Sequence, residues 1–372
     1  MEYHYTAEQE KLMQDVRNFA RHTIAPEALI YDKKGVFPKK TIRRMGKEGL
    51  FAVIVPKEYG GLGLSTLEYG IVQQEVAYFS PAYTHNGQYQ VQKALILFGT
   101  EEQKTRYLPK LGKGVYFGAI AISEHDAGSS LKKMQTTAVN KGDSYILNGH
   151  KTHINDAAEA HVMLIMARTD KKMSVFVVDK DTPGITFTEK LDPIGYRASP
   201  MYKFTLENVK IPRSQLLGEE ERGLEVFFGI FNFSRIGNAS TFIGIARGSL
   251  DSAIEYAKQR QIGGVHVTEF QGIRWILADL LTKIEAAELL RNKAALTEAS
   301  GLPCARETCM AKYFAGEIAR EATNKAIEIT GSYGCYRDQP FEMLYRDAKA
   351  LLIAGGSSEI MKNIIADLAI GR

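Results

Sequence analysis

Two adjoining segments near the end of the chain, YRDAK at residues 345–349 and IAGGSSEI at residues 353–360, decide the fold. Apolar residues at helical spacing predict a final helix over about 357–369. Gly355 and Gly356 stand at its leading turn, where they present backbone N–H groups and no side chain. The sequence therefore predicts a turn made of backbone alone beside the last helix.

The first part of the chain, residues 1–115, is predicted to be helical. Thr6 and Gln9 form a capping box, and apolar residues follow it at helical spacing. A glycine-rich loop at 58–63 separates this helix from later ones. Further helices are predicted at about 65–76, at about 91–98 and from Thr100 onward.

The middle part, residues 116–221, has a different periodicity. Short apolar runs alternate with turn signals, as is typical of a small antiparallel sheet or barrel. Asn148-Gly149 lies between two such runs and predicts a type I′ hairpin turn.

The last part, residues 222–372, returns to long helical patterns. Helices are predicted over about 223–259, 269–298 and 306–330, the third ending at Gly331. Helices of this length and apolar content indicate a four-helix bundle that also packs against other subunits. The three parts together predict an α+β protein with an N-terminal helical domain, a middle antiparallel β-barrel and a C-terminal bundle.

Composition excludes several classes of function. The 47 basic and 43 acidic residues are spread along the chain and give a net charge of +4, so neither nucleic-acid nor membrane binding is indicated. The three cysteines form no CxxC pair, which argues against a disulfide framework and a thiolate metal site. The acidic start lacks the pattern of a targeting peptide, and no apolar run is long enough to cross a bilayer. We expect a cytoplasmic protein without a metal site.

Five further motifs agree in their order along the chain with one flavoprotein family. The complete set resembles the acyl-CoA dehydrogenases over essentially the whole length. The motifs are AISEHDAGS at 121–129, LNGHKTHIN at 147–155, LLGEE at 216–220, RQIGG with EFQ at 260–271, and GSYG at 331–334. The resemblance implies FAD bound between subunits of a homo-oligomer, either a dimer or a homotetramer built as a dimer of dimers.

The resemblance also implies a set of FAD-binding residues. Ile122 and Ser123 are expected to face the flavin ring, and Ser129 to reach the pyrophosphate or the substrate, because hydroxyl and N–H donors suit anions. His153 replaces the tryptophan that covers the ring in relatives, and Asn155 replaces a threonine that bonds near flavin N5. Further cofactor contacts are expected from Arg260, which would bind the pyrophosphate in a neighbouring subunit, and from Gly331, Ser332, Ser357 and Glu359.

The implied substrate is an acyl thioester linked to CoA or to a carrier protein. By resemblance, Ser129, Phe231, Arg235 and Gly356 contact it. If the reaction is a dehydrogenation, electron-transfer flavoprotein is the expected electron acceptor.

The catalytic base of the family is missing at its usual place. Most relatives carry there a glutamate that removes the substrate's α-proton, and this chain has Gly355. A glycine keeps the backbone N–H that polarises the thioester carbonyl and loses only the carboxylate. Some relatives place the glutamate on another helix, and the position assigned to it here is Gln261, which cannot act as a base. His85, His153 or a water held by Gln261 are the candidates for the proton-transfer role.

Relatives without the glutamate offer alternatives. The sequence around the glycine pair is similar to that of 3-sulfinopropionyl-CoA desulfinase, which cleaves a C–S bond. This chain differs from that enzyme at Ala82, where the desulfinase has an arginine. It is also similar to crotonobetainyl-CoA reductase, which works in the reducing direction. A flavin monooxygenase and a non-catalytic subunit that complements a partner chain complete the alternatives.

Overall fold

Six helices form the first third of the computed structural model, which describes residues 4–371. They are α1 (Ala7–Phe19), α2 (Ala25–Lys34), α3 (Lys39–Lys47), α4 (Thr66–Ala77), α5 (Asn86–Phe98) and α6 (Glu101–Gly112). Capping boxes at Thr6, Ser65 and Thr100 begin three of them, which confirms the predicted helix starts. Residues 1–3 and 372, at the outer ends of the first and last predicted domains, lie outside the described residues.

A mostly antiparallel sheet follows. Its strands are β1 (Gly118–Ala121), β2 (Thr137–Asn140), β3 (Ser144–Asn155), β4 (Val162–Arg168), β5 (Met173–Asp179), β6 (Ile185–Leu191), β7 (Met201–Pro212) and β8 (Leu216–Leu217). They lie in the order β6-β7-β3-β2-β4-β5-β8, and β1 pairs in parallel with β4. The sheet predicted from the change of periodicity in the sequence is thus confirmed.

The predicted hairpin at Asn148-Gly149 is wrong. Both residues lie inside the single strand β3, and the register against β7 shifts between Leu147 and Gly149. Gly149 has a φ of 149°, and the Asn148 side chain accepts a hydrogen bond from Asn208 N of β7. A β-bulge therefore uses the residues that in another context would make a tight turn.

The last part contains three long helices and two shorter ones. Two short strands, β9 (Gln261–Ile262) and β10 (Val265–His266), form a hairpin between the first two helices. The helices are α7 (Gly223–Gln259), α8 (Gln271–Ala299), α9 (Ala305–Thr330), α10 (Pro340–Leu351) and α11 (Ser358–Ile370). The predicted helices are confirmed, although five rather than four helices are described here. Within residues 4–371, no helix has the length and apolar character needed to span a membrane.

Helix α7 approaches α4 closely because glycines line the contact. A Cβ on Gly237 would overlap the Tyr69 hydroxyl, and one on Gly248 would overlap the Tyr78 carbonyl oxygen. Between them, a Cβ on Gly244 would overlap Gln74 O and lie 2.8 Å from Ala77 Cβ. The spacing of seven and four residues puts all three glycines on one face of α7.

The segment YRDAK forms α10 and joins all three parts of the chain. Arg346 Nη2 lies 2.6 Å from Asp32 Oδ2 of α2, and Arg346 Nη1 donates to Ile194 O in the loop before β7. Asp347 accepts a hydrogen bond of 2.6 Å from Tyr196 N in that same loop. Burial raises the pKa of Asp347 to about 7. These contacts fix where α10 ends and where the turn at Gly355 begins.

The close contact between α7 and α4 can be tested with Gly244→Ala. The added methyl group meets backbone atoms of α4 that cannot move aside, so we expect the free energy of unfolding to fall by about 1–3 kcal/mol. Urea denaturation followed by circular dichroism measures this change. Gly272→Ala in α8 is the control, because no atom lies within 4 Å of the added Cβ. Equal stability of both variants would contradict the packing argument.

Candidate functional site

A buried ion pair fixes the segment that carries Ile122 and Ser123. Lys151 Nζ lies 2.8 Å from Glu124 Oε1 and donates to Ile122 O at 3.1 Å. Glu124 also accepts hydrogen bonds from Gln135 N and Thr136 N. Burial lowers the pKa of Lys151 to about 8, while Lys151 and these N–H groups outweigh the effect of burial on Glu124 and lower its pKa. Fully enclosed and multiply bonded, the pair makes this loop a rigid platform.

The end of β3 holds the next group of polar side chains. Thr152 N donates to Ser123 O at 3.0 Å, so the two predicted cofactor segments lie side by side. The Thr152 hydroxyl is buried and has no partner within residues 4–371. His153 is exposed, and Asn155 Nδ2 donates to Ser199 O and Oγ at 3.1 and 3.2 Å. The amide nitrogen expected to face the flavin is thus already engaged by Ser199.

His85 belongs to a hydrogen-bonded chain that reaches this strand end. Its Nδ1 lies 2.9 Å from Asp156 Oδ2, and Asp156 accepts from Ser199 Oγ at 3.0 Å. His85 is 5% exposed, and its Nε2 has no partner among the described residues. An imidazole held at Nδ1 by a carboxylate and free at Nε2 is able to accept or deliver a proton.

Backbone strain is concentrated in the same place. Six non-glycine residues of the described chain have positive φ, and four of them are His85, His153, Asp156 and Tyr196. Asp156 bonds to His85, and Ser199 N donates to Tyr196 O. Strained backbone of this kind persists where the surrounding structure enforces it, frequently at functional sites.

A cluster of polar side chains from α4, α5 and α7 lies beside Gly355. Tyr69 O–H donates to Asn86 Oδ1 at 2.6 Å, and Asn86 Nδ2 donates to Asn238 Oδ1 at 2.7 Å. Gln90 Nε2 donates to Ser234 Oγ. Gly355 has a φ of 66°, and a Cβ placed on it would overlap Asn238 Nδ2. Asn238 therefore fills the space that a side chain at position 355 would enter.

A buried lysine holds the other side of this turn. Lys312 Nζ of α9 donates to Leu352 O at 3.0 Å and to Gly356 O at 2.5 Å. Burial, together with Arg235, lowers the pKa of Lys312 to about 8. The turn between α10 and α11 is thus clamped between Lys312 and Asn238.

The predicted substrate contacts lie near this turn. Arg235 is 6% exposed, its Nη1 donates to Asn232 Oδ1, and its guanidinium stands 5.8 Å from the centre of the Phe231 ring. Its Nε is buried without a partner in the described part of the chain, and burial lowers its pKa. Ser129, by contrast, is exposed on the Ile122 loop.

Other predicted residues lie far from this cluster within one chain. Arg260 and Gln261 are exposed beyond the C-terminal end of α7, and Gln261 Nε2 contacts His266 Nε2 at 3.0 Å. With α7 continuous from Asn238 to its end, about 30 Å separates them from Gly355. The structure therefore does not place Gln261 opposite Gly355, and the prediction that Gln261 occupies the alternative base position of the same chain is corrected.

Gly331 and Ser332 accompany Arg260 rather than Gly355. They begin the turn after α9, where Tyr333 stacks on Tyr256 of α7 with ring centres 5.0 Å apart. Both residues are exposed, and no atom lies within 4 Å of a Cβ built on Gly331. Ser357 and Glu359 lie at the opposite end, where Ser357 caps α11 and Glu359 is exposed in its first turn. One chain thus carries two separated sets of the predicted cofactor residues.

Several important residues escaped sequence reasoning. Asn238, Asn86, Ser234, Lys312 and Asp156 were not predicted as site residues. Ser234 and Asn238 are four residues apart in α7, a spacing that places both on one face of the helix.

No group of three His, Cys, Asp or Glu side chains suited to a metal ion occurs in residues 4–371.

Comparison with protein families gives matches in the order of the three parts. The acyl-CoA dehydrogenase N-terminal domain matches residues 6–115, the middle domain matches 119–209, and the C-terminal domain matches 221–370. These descriptions agree with the helix–sheet–helix arrangement of the structure.

Individual relatives match along their full length. An acyl-CoA dehydrogenase of Bacillus subtilis (strain 168) is 37% identical over 380 residues, covering 99% of both chains. Acryloyl-CoA reductase (NADH) of Anaerotignum propionicum is 37% identical, covering 98% of this chain and 95% of that protein. The solved structure of butyryl-CoA dehydrogenase from Megasphaera elsdenii gives a TM-score of 0.97 at 30% identity, with both chains fully covered.

Proposed function

Because this chain belongs to the acyl-CoA dehydrogenase family, we propose that it is a redox enzyme for the Cα–Cβ bond of an acyl thioester, linked to CoA or to a carrier protein, that works without a carboxylate at position 355. Family members are FAD-dependent oxidoreductases acting on CH–CH groups. FAD, when bound, supplies the two-electron acceptor or donor. The observation that carries the proposal is the turn at Gly355, which has a φ of 66° and where an added Cβ would overlap Asn238 Nδ2 unless that side chain moved.

The residues at the end of β3 and in the loop before β2 suit FAD. Ile122 and Ser123 sit on the platform fixed by Lys151, and the buried Thr152 hydroxyl lacks a partner among the described residues. A buried unpartnered hydroxyl is expected to meet a ligand. We assign the flavin end of the cofactor to this platform, with His153 and Asn155 beside it. Ser129, Ser357 and Glu359 are the proposed contacts farther along the cofactor.

The second set of cofactor residues supports a site shared between subunits. Arg260, Gly331 and Ser332 are exposed and lie near the C-terminal end of α7, about 30 Å from the Gly355 turn of the same chain. A guanidinium is well suited to a pyrophosphate through charge-assisted hydrogen bonds. We propose a homo-oligomer, a dimer or a dimer of dimers, in which Arg260 of one subunit reaches the FAD of its neighbour. Electron-transfer flavoprotein is the proposed electron acceptor in the oxidising direction, and the proposed compartment is the cytoplasm.

The first proposed contribution of this chain to the reaction is to position the thioester carbonyl of the substrate. Gly355 N–H is proposed to donate to the thioester carbonyl, which lowers the energy of the charge that develops there. Phe231, Arg235 and Gly356 line the path of the acyl thioester. Lys312 fixes the backbone of this turn through Gly356 O, so the N–H donor is held in place before substrate arrives.

His85 is the proposed proton carrier. Asp156 holds its Nδ1, and the adjacent Asn86 bonds to Asn238 beside Gly355. In the oxidising direction His85 Nε2 would accept the α-proton, directly or through a water, and in the reducing direction it would return it. The relatives include both an acryloyl-CoA reductase and a butyryl-CoA dehydrogenase, which supports a proposal that allows either direction.

The first test is an anaerobic titration of the FAD-loaded protein with short acyl-CoA thioesters. We expect the flavin absorbance to shift on binding and to bleach slowly with an oxidisable thioester, because binding needs no base whereas proton removal does. A protein that neither contains nor takes up FAD would refute the proposal. C–S cleavage without net oxidation would support the desulfinase alternative. A product that forms only in the presence of oxygen would support the monooxygenase alternative. Activity that appears only with a second chain would support the partner-subunit alternative.

The role of His85 can be tested with His85→Asn, which the positive φ at this position tolerates. We expect the rate of flavin bleaching to fall by about 100-fold, the usual effect of losing a positioned acid–base group, while the FAD content and the acyl-CoA affinity stay the same. His161→Asn is the control, because this half-buried imidazole stacks on Tyr116 instead. An unchanged rate in His85→Asn would remove His85 from the mechanism.

The empty base position can be tested by restoring the carboxylate. Gly355→Glu alone should gain little, because its Cβ overlaps Asn238 Nδ2. Combined with Asn238→Ala, it should accelerate flavin bleaching by butyryl-CoA about 10-fold or more. A gain in the single variant as large as in the double variant would show that Asn238 does not occupy this space.

A further inference from the structure

The polar cluster beside Gly355 has a defined hydrogen-bond direction. Burial raises the pKa of Tyr69 well above its ordinary value, so its hydroxyl keeps its proton and donates to Asn86 Oδ1. Asn86 then presents its Nδ2 to Asn238 Oδ1. Each amide has its oxygen on one side and its nitrogen on the other, so Asn238 Nδ2 must face away from Asn86. It faces the space at Gly355.

The Asn238 Nδ2 atom is a hydrogen-bond donor for which residues 4–371 provide no acceptor. Asn238 is 4% exposed, although its Nδ2 is not one of the fully buried unpartnered atoms. A ligand that displaces solvent from Nδ2 must supply an acceptor or leave this donor unsatisfied. Where most relatives hold a proton-accepting carboxylate, this chain therefore offers an N–H group.

The charges around the turn favour an anion. Arg235 and Lys312 are 6% and 1% exposed, and their hydrogen-bond partners within residues 4–371 are neutral oxygens, namely Asn232 Oδ1 for Arg235 and Leu352 O and Gly356 O for Lys312. Glu359, which acts on Lys312 at longer range, is exposed on α11. Buried cations are normally paired, so this neighbourhood has a surplus of positive charge.

We infer that the acyl group of the substrate is short and ends in a carboxylate, as in a four-carbon dicarboxylic thioester, with Asn238 Nδ2 as a specificity-determining donor to that carboxylate. The inference rests on the proposed function. Ser234 and Gln90 add further polar side chains next to Asn238, since Gln90 Nε2 donates to Ser234 Oγ and Asn86 lies between Ser234 and Asn238. A methyl end group placed there would leave the amide donor unsatisfied, whereas a carboxylate oxygen satisfies it.

The test compares binding of succinyl-CoA and butyryl-CoA, which have the same chain length, to the FAD-loaded protein by anaerobic calorimetry. We expect succinyl-CoA to bind about 10-fold or more tightly, the usual effect of one hydrogen bond to a charged group. Asn238→Asp replaces the donor with a carboxylate of the same shape and should remove this preference by weakening succinyl-CoA binding. Butyryl-CoA affinity should change by less than about 3-fold.

Two further variants keep the result interpretable. Asn18→Asp on the exposed face of α1 adds the same charge elsewhere and should leave both affinities unchanged. Asn238→Ala removes the donor without adding charge and should also lose the preference for succinyl-CoA. Equal or tighter binding of butyryl-CoA to the unaltered protein, or an unchanged preference in both Asn238 variants, overturns this inference alone. Failure of both thioesters to bind refutes the proposed function as well.

Discussion

The contact of Arg346 and Asp347 with the loop before β7 is the interaction on which the site depends. Arg346 pairs with Asp32 and with Glu342 and donates to Ile194 O, so one guanidinium touches α2, α10 and the sheet. A half-buried cation with two carboxylates is stable only while both partners stay in place. Its position sets the end of α10, and the end of α10 sets where Gly355 meets α7. The YRDAK segment therefore has a structural role, and it supports the site only by holding α10 and the following turn in place.

The glycine face of α7 is the second constraint. Gly237, Gly244 and Gly248 let α7 approach the backbone and the Tyr69 hydroxyl of α4 without intervening side chains. At the level of Gly237, the Tyr69 hydroxyl of α4 donates to Asn86 of α5, and Asn86 donates to Asn238 of α7. The orientation of Asn238 beside Gly355 thus depends on three helices, because each amide in the chain has only one orientation that satisfies its neighbour.

Much of the fold could be predicted from sequence, and the limits have physical causes. Helix starts at Thr6 and Thr100 follow from local capping, which needs only four residues. The turn signal at Asn148-Gly149 failed because a bulge in a paired strand uses the same residue types as a hairpin. Asn238 was missed because its role depends on α5, far away in sequence. Gln261 was placed near Gly355 by motif order, which does not reveal that a long straight helix separates them.

Position 355 is a glycine, and a carboxylate at this position would change the charge balance of the neighbourhood. A glutamate there would enter the space between Asn238 and the turn that Lys312 holds, and it would offset the charge of Lys312 and Arg235. In the described chain, the two buried cations instead donate to neutral oxygens of Asn232, Leu352 and Gly356. Adding a long carboxylate side chain without moving Asn238 meets a steric obstacle, and removing Asn238 alone leaves Asn86 without its acceptor. The glycine and the asparagine therefore form one unit, because the space beside Gly355 is occupied by the amide nitrogen of Asn238.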